Sequence, residues 1–241
     1  MTKSISLLVY FAVSATAVQQ LTLGPWFWYT DNTCASWNKL MGRNYPTFEA
    51  ETSIPYNVTA DGTGVYLDPP AGYTDPNFMK DIRNWNDGTN ASAFMTVYAD
   101  QQLANGTNGL DLVSDEAIIH LAQRLGAMVN ETGRALYIRW LPEMNGSWML
   151  YGLQPTYYVS VWKRMYPIMK QYIPTVQLVW APNYDLQPND TSYWPGPDYV
   201  DVVGTSVYYK GFGTNGPMPA SYIAESMSPV YPEYSTAYNK P

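Results

Sequence analysis

Residues Arg139-Trp-Leu-Pro-Glu-Met-Asn-Gly-Ser-Trp148 decide the fold. They follow the apolar run Ala135-Leu-Tyr-Ile138, which itself comes after a long stretch with helical spacing. A short apolar run behind a helix reads as a buried strand of a parallel sheet, and such sheets build their sites at the carboxyl ends of the strands. This strand ends in a carboxylate, an amide, a glycine turn and an indole. In an extended chain Arg139, Leu141 and Glu143 share a face, so Arg139 is expected to orient or polarise Glu143 from below. Glu143 then reads as an acid/base and Trp148 as a stacking platform for a sugar. The competing reading is a solvated loop carboxylate beside a tryptophan that plugs the rim.

Outward from this stretch the chain alternates. Ser114 caps a helix whose first turn holds Asp115 and Glu116; Ile118, Leu121, Ala122, Leu125, Met128 and Val129 recur at helical spacing, and Gly133 ends it. Downstream, Thr156–Tyr172 reads as a helix, Gln177–Ala181 as a strand and Tyr199–Tyr208 as another. Upstream, Pro25–Tyr29, Tyr45–Ile54 and Ala93–Tyr98 read as strands, with helices over Ala35–Met41 and Phe78–Trp85. The pattern predicts an α/β fold, a TIM (β/α)8-type barrel that is incomplete, with about six of its eight strand–helix units. Glu49 and Glu51 are candidate site carboxylates, with a rim or surface charge the favoured reading.

Composition narrows the function classes. The chain has 241 residues, 46% hydrophobic and only 14% charged, which indicates a globular chain. A net charge of −7 with no basic stripe argues against a nucleic-acid partner. Nine Trp and 22 Tyr suit sugar binding and core packing equally well. With one cysteine (Cys34) and one histidine (His120), neither an intrachain disulfide nor a Ser-His-Asp triad is expected, and no metal or cofactor is implied. His120 lies off the apolar stripe of its helix and reads as a solvated surface residue.

Residues 1–17 read as a secretory signal: Lys3 gives the positive start, Ile5–Val13 the apolar core, and Ala15-Thr-Ala17 the small-residue cleavage site. Residues 18–241 are then the partial barrel, and the expected location is extracellular. Sequons at Asn57, Asn90, Asn105, Asn130, Asn145 and Asn189 fit a glycosylated chain, with Asn145 read as a site residue instead of a glycan carrier. No later segment reaches membrane-spanning length; a monomer with no membrane partner is expected.

The residues also carry a resemblance. Asn145-Gly-Ser-Trp-Met-Leu-Tyr-Gly152, behind Arg139 and Glu143, is similar to the fourth-strand motif of glycoside hydrolase family 26, with Met149 and Leu150 where the family has aromatics. Trp180-Ala-Pro-Asn183, the segment from Tyr193 to Asp201, then Val203-Gly204 and Tyr208 resemble its fifth- and sixth-strand segments. The resemblance implies that Glu143 is the general acid/base of a retaining glycosidase, and that Arg139, Asn145, Trp148, Trp180 and Tyr208 bind substrate. Pro142 stands where the family usually has His, which leaves β-glucanase or β-xylanase open beside the favoured β-mannanase.

A retaining enzyme needs a second carboxylate about 5 to 5.5 Å away as nucleophile. The family carries it on the seventh strand, and nothing here matches that strand; Glu225 follows the sixth strand too soon. The expectation is therefore a glycoside hydrolase chain without its nucleophile, or a polysaccharide-binding remnant of such a barrel.

Overall fold

The computed structural model describes residues 34–69, 89, 91–183, 191–206, 221 and 236–240, and the backbone alone of 7–12 and 20–25. At its centre lies a parallel sheet of five strands in the order β3-β6-β7-β8-β9, namely Thr47–Ser53, Ser92–Tyr98, Leu136–Trp140, Gln177–Trp180 and Val202–Val203. Each neighbouring pair is parallel, and sequential strands lie side by side. That order is what consecutive crossover units produce. Helix α1 (Cys34–Met41) precedes β3, helix α2 (Asp115–Thr132) links β6 to β7, and helix α3 (Pro155–Tyr172) links β7 to β8.

Local chemistry sets the helix ends. The Ser114 hydroxyl accepts the Ala117 N–H at the start of α2, and Gly133 closes it in the left-handed conformation at φ 67°. Pro155 opens α3, where its missing N–H costs nothing. The helices cover one face of the sheet. Phe48, Met95, Ile138, Trp140, Leu178 and Trp180 pack there with Leu121, Leu125, Trp162 and Met165 in a single core.

The other face divides along the strands. On the side of β8 Phe94, Val179 and Ala181 form a small apolar cluster with Tyr137 and Val202 packed against it. Toward the carboxyl ends the same face turns polar. Register aligns Glu51, Thr96, Arg139, Val179 and Val202 in one row across all five strands. Alternation therefore points Glu49, Thr96 and Arg139 inward, where all three are buried.

The structure departs from the sequence reading in several places. Among the described residues the parallel sheet has five strands, one fewer than expected. Of the expected first strand, Trp26–Tyr29 lie outside the described residues, as does the expected helix 78–85; Pro25 ends a strand β2 (Gln20–Pro25) that pairs antiparallel with β1 (Leu7–Ala12). Strand β1 lies within the apolar core of the expected signal segment. The Gly- and Asp-rich loop after β3 also holds a small antiparallel ladder, β4 (Asn57–Val58) with β5 (Val65–Tyr66).

Glu49 corrects a second expectation. It is no rim charge: only 7% exposed, its carboxylate accepts the Thr96 hydroxyl at 2.6 Å. Alternation with the buried Phe48 and Ala50 of the helix side puts Glu49 on the inward face, with Thr96 as its partner. His120 keeps its surface position, half-exposed on α2. Its Nδ1 lies 2.5 Å from Asp68 Oδ2, which ties helix α2 to the loop after β5.

Candidate active site at the carboxyl ends of the strands

Strand β7 stops at Trp140 because the backbone turns left-handed twice. Leu141 has φ 43° and Glu143 φ 57°, with Pro142 between them. Left-handed backbone is costly for residues with a Cβ, by roughly 1 kcal/mol each, so the surroundings must hold it. They do, through hydrogen bonds to both neighbouring strands: Leu141 N–H donates to Val97 O on β6, and Glu143 N–H to Ala181 O beyond β8, each at 2.9 Å. The Tyr151 hydroxyl fixes Pro142 O at 2.8 Å.

This turn corrects the extended geometry expected for Arg139 and Glu143. They do not share a strand face. Instead the turn folds Glu143 back over the strand end, so that Glu143 Oε1 lies 3.7 Å from Arg139 Nη2. Both side chains are buried, and the guanidinium also donates to Ser206 Oγ beyond β9. The other carboxylate oxygen, Oε2, accepts the indole N–H of Trp148 at 2.8 Å. Glu143 is 5% exposed and Trp148 52% exposed, so the indole is the solvent-facing neighbour of a sheltered acid.

Asn145 serves the turn in another way. Its Nδ2 donates to Asn183 O and its Oδ1 accepts Asn183 N–H, both at 2.8 Å. These bonds bind the loop after β7 to the loop after β8. Asn145 is buried, as its reading as something other than a glycan carrier requires, whereas Asn57, Asn105 and Asn130 are exposed. Asn183 in turn bridges to Ser206, which brings the ends of β7, β8 and β9 together.

Two glycines let the loop fold this tightly. A Cβ on Gly146 would lie 2.5 Å from Cε2 and Cζ2 of Trp148, and one on Gly152 would lie 1.9 Å from Gly146 O. Gly152 has no room for any other residue without moving the backbone, and at Gly146 a side chain would displace the Trp148 ring.

The inner face supplies a second set of acids that the sequence reading placed elsewhere. Burial first, then the charges of Glu49 and Asp100, push the Glu51 carboxyl up to about 7. Tyr98, on β6, is raised by burial; it also feels Arg139, Glu51, Glu49 and Glu143, which places it among all four. Among the described residues, no three of His, Cys, Asp and Glu converge as metal ligands.

Of the residues read as substrate-binding, Arg139 and Trp148 converge on Glu143, and Asn145 braces its loop. Trp180 does not face this cleft. It lies on the helix side of the sheet, fully buried, with its N–H on Tyr193 O and its ring edge-on to Trp194 and Tyr238, each at 5.2 Å. The all-apolar run Leu178-Val-Trp-Ala181 carries no alternation to reveal that orientation. Tyr208 lies outside the described residues. Thr96, Ser206 and Asn183 escaped the sequence reading; only register across strands brings them here.

The family model for glycosyl hydrolase family 26 matches residues 71–223. The chain is 30% identical over 91 residues to "Mannan endo-1,4-beta-mannosidase A and B" of Caldalkalibacillus mannanilyticus, covering 34% of this chain and 18% of that protein. It is 29% identical over 107 residues to "Mannan endo-1,4-beta-mannosidase" of Bacillus subtilis, covering 40% and 29% respectively. Among solved structures, a modular endo-β-1,4-mannanase from Cellulomonas fimi superposes with a TM-score of 0.56 at 16% identity, covering 84% of this chain and 49% of that one. A family 26 β-mannanase from Bacteroides ovatus does so with a TM-score of 0.50 at 16% identity, covering 82% and 60%. The chain thus spans less than two thirds of the length of each of these relatives, and the structural likeness identifies the incomplete (β/α)8 barrel. The family match covers well over half of the sequence, and the chain belongs to glycosyl hydrolase family 26.

Proposed function

We propose that the chain carries the acid/base half of a retaining endo-hydrolase site for β-linked polysaccharide, with β-mannan as the favoured substrate. The observation that supports this most is Glu143 itself. It is a sheltered carboxyl at a strand's carboxyl end, flanked by a guanidinium on Oε1 and an indole on Oε2. In the mechanism Glu143 donates its proton to the glycosidic oxygen as the bond to the sugar breaks. It then takes a proton from the water that releases the covalent sugar. Arg139 stabilises Glu143 when it is ionised, and the exposed face of Trp148 offers a platform for a pyranose ring.

No residue of the chain is assigned the nucleophile's role, so the 241-residue chain is expected to bind mannan without cleaving it. The chain works as a monomer outside the cell, its first 17 residues acting as a secretory leader; amino-terminal sequencing of secreted protein tests that part. The functional test is incubation with β-1,4-mannan, β-glucan and xylan, with binding and released sugars both measured. Mannan retained by the protein with no new reducing ends is the expected result. Cleavage would point to another carboxylate, with Glu49, Glu51 and Glu225 the first suspects.

A further inference from the structure

A stacking platform needs only the face of a ring, yet Trp148 uses its edge. Its N–H reaches Glu143 Oε2 at 2.8 Å, while the carboxyl is 5% exposed and the indole 52%. Gly146 is what permits this. The ring passes so close to the backbone that a Cβ there would meet Cε2, the atom bonded to Nε1, at 2.5 Å. With Arg139 3.7 Å from Oε1, the carboxyl is gripped at both oxygens and its rotation is restricted.

We propose that Trp148 is a positioning residue for Glu143: its indole N–H holds Oε2 and fixes the direction in which the carboxyl group presents its proton. The proposal rests on the reading of Glu143 as acid/base. It assigns the indole nitrogen a task that phenylalanine or tyrosine, equal as platforms, cannot perform. A donor on a carboxylate oxygen favours the ionised form. Removing the N–H while keeping an aromatic ring therefore raises the pH at which Glu143 takes up its proton. The other groups around the carboxyl are Arg139 on β7, Tyr98 on β6, Glu49 and Glu51 on β3, and Tyr151 in the same loop. All of them remain in a Trp148→Phe variant, so the comparison isolates one hydrogen bond.

The test uses the whole chain with 13C in the glutamate side chains and 15N in the indoles, followed by NMR through a pH titration. Glu143 and Trp148 signals are assigned by their loss in Glu143→Gln and Trp148→Phe. In the unmodified chain the Trp148 N–H signal should move with the Glu143 carboxyl carbon at a single midpoint. In Trp148→Phe the Glu143 midpoint should rise by about one pH unit. Mannohexaose affinity should fall less in Trp148→Phe than in Trp148→Ala. An unchanged midpoint in Trp148→Phe, or a Trp148 signal indifferent to Glu143, would overturn the proposal. Should the shift appear in a chain that binds no mannohexaose, the positioning role stands and the mannan reading falls.

Discussion

Asn145 and Asn183 are locked by a closed pair of hydrogen bonds, side-chain amide to backbone, in which donor and acceptor are each satisfied at 2.8 Å. The pair joins two loops at the carboxyl ends of neighbouring strands. Asn145→Ala should therefore leave a buried N–H and a buried C=O without their partners, at a cost of about 2–3 kcal/mol. Asn145→Asp keeps an acceptor for Asn183 N–H but sets a buried carboxylate oxygen against Asn183 O, so at neutral pH it should cost at least as much as Asn145→Ala. Denaturant titration of both variants checks the ordering, and a smaller loss in Asn145→Asp would show that the donor bond to Asn183 O contributes little.

Arg139 faces Glu143 and Ser206 from the inner wall of the sheet. Arg139→Met fills similar volume but leaves a buried carboxyl without its cation. A destabilisation of about 3 kcal/mol is expected, largest at pH values where Glu143 is ionised. Thermal unfolding at acid and neutral pH gives the comparison. A loss that is the same at both would mean that the guanidinium acts only by packing.

Glu51 gives a pH dependence of definite sign. Its carboxyl titrates near 4.5 when unfolded and at about 7 when folded, so between these values the native chain holds a proton that the unfolded chain has lost. Stability from this group is present in full below about 4.5 and disappears as pH rises through 7. Allowing for its partial exposure, the change is about 1–2 kcal/mol. Glu51→Gln keeps the neutral shape and should flatten this part of the stability profile, with the variant more stable than the parent above neutrality. Parallel profiles for the two proteins would remove Glu51 as the cause.

At the opposite end of the sheet Asp201 accepts Leu178 N–H and Lys170 Nζ, each at 2.8 Å, and the Tyr166 hydroxyl at 3.1 Å. This network pins the amino ends of β8 and β9 to helix α3. Asp201→Ala should lower stability by about 2 kcal/mol while leaving sugar binding per folded molecule unchanged. Weakened binding in the folded variant would show that the two ends of the sheet are coupled.

The fold was largely legible because each element carries its own period. Ser114 and Gly133 mark the ends of α2 from the sequence alone, and the apolar run before Arg139 marks β7. Glu143 was legible as a residue at a strand's carboxyl end. Its approach to Arg139 was not, because two left-handed residues flank Pro142 and replace the extended geometry that spacing suggests. Trp180 misled for a different reason. In an all-apolar strand no polar partner shows which face is which, and only pairing with Val203 and burial beside Tyr193 place it on the helix side. Glu49 was misjudged on the assumption that a strand carboxylate faces outward; its partner Thr96, which lies 47 residues away, was not visible in the sequence.

The account's central claim is that sugar is held where Trp148 meets Glu143. The most direct test is an NMR titration of the whole chain with β-1,4-mannohexaose, observing the Trp148 indole N–H and the Glu143 carboxyl carbon together. The account predicts that both signals move along one saturation curve, and that Trp148→Ala weakens the interaction by about tenfold or more. Neither signal moving in a folded chain, or binding that survives Trp148→Ala undiminished, would contradict it.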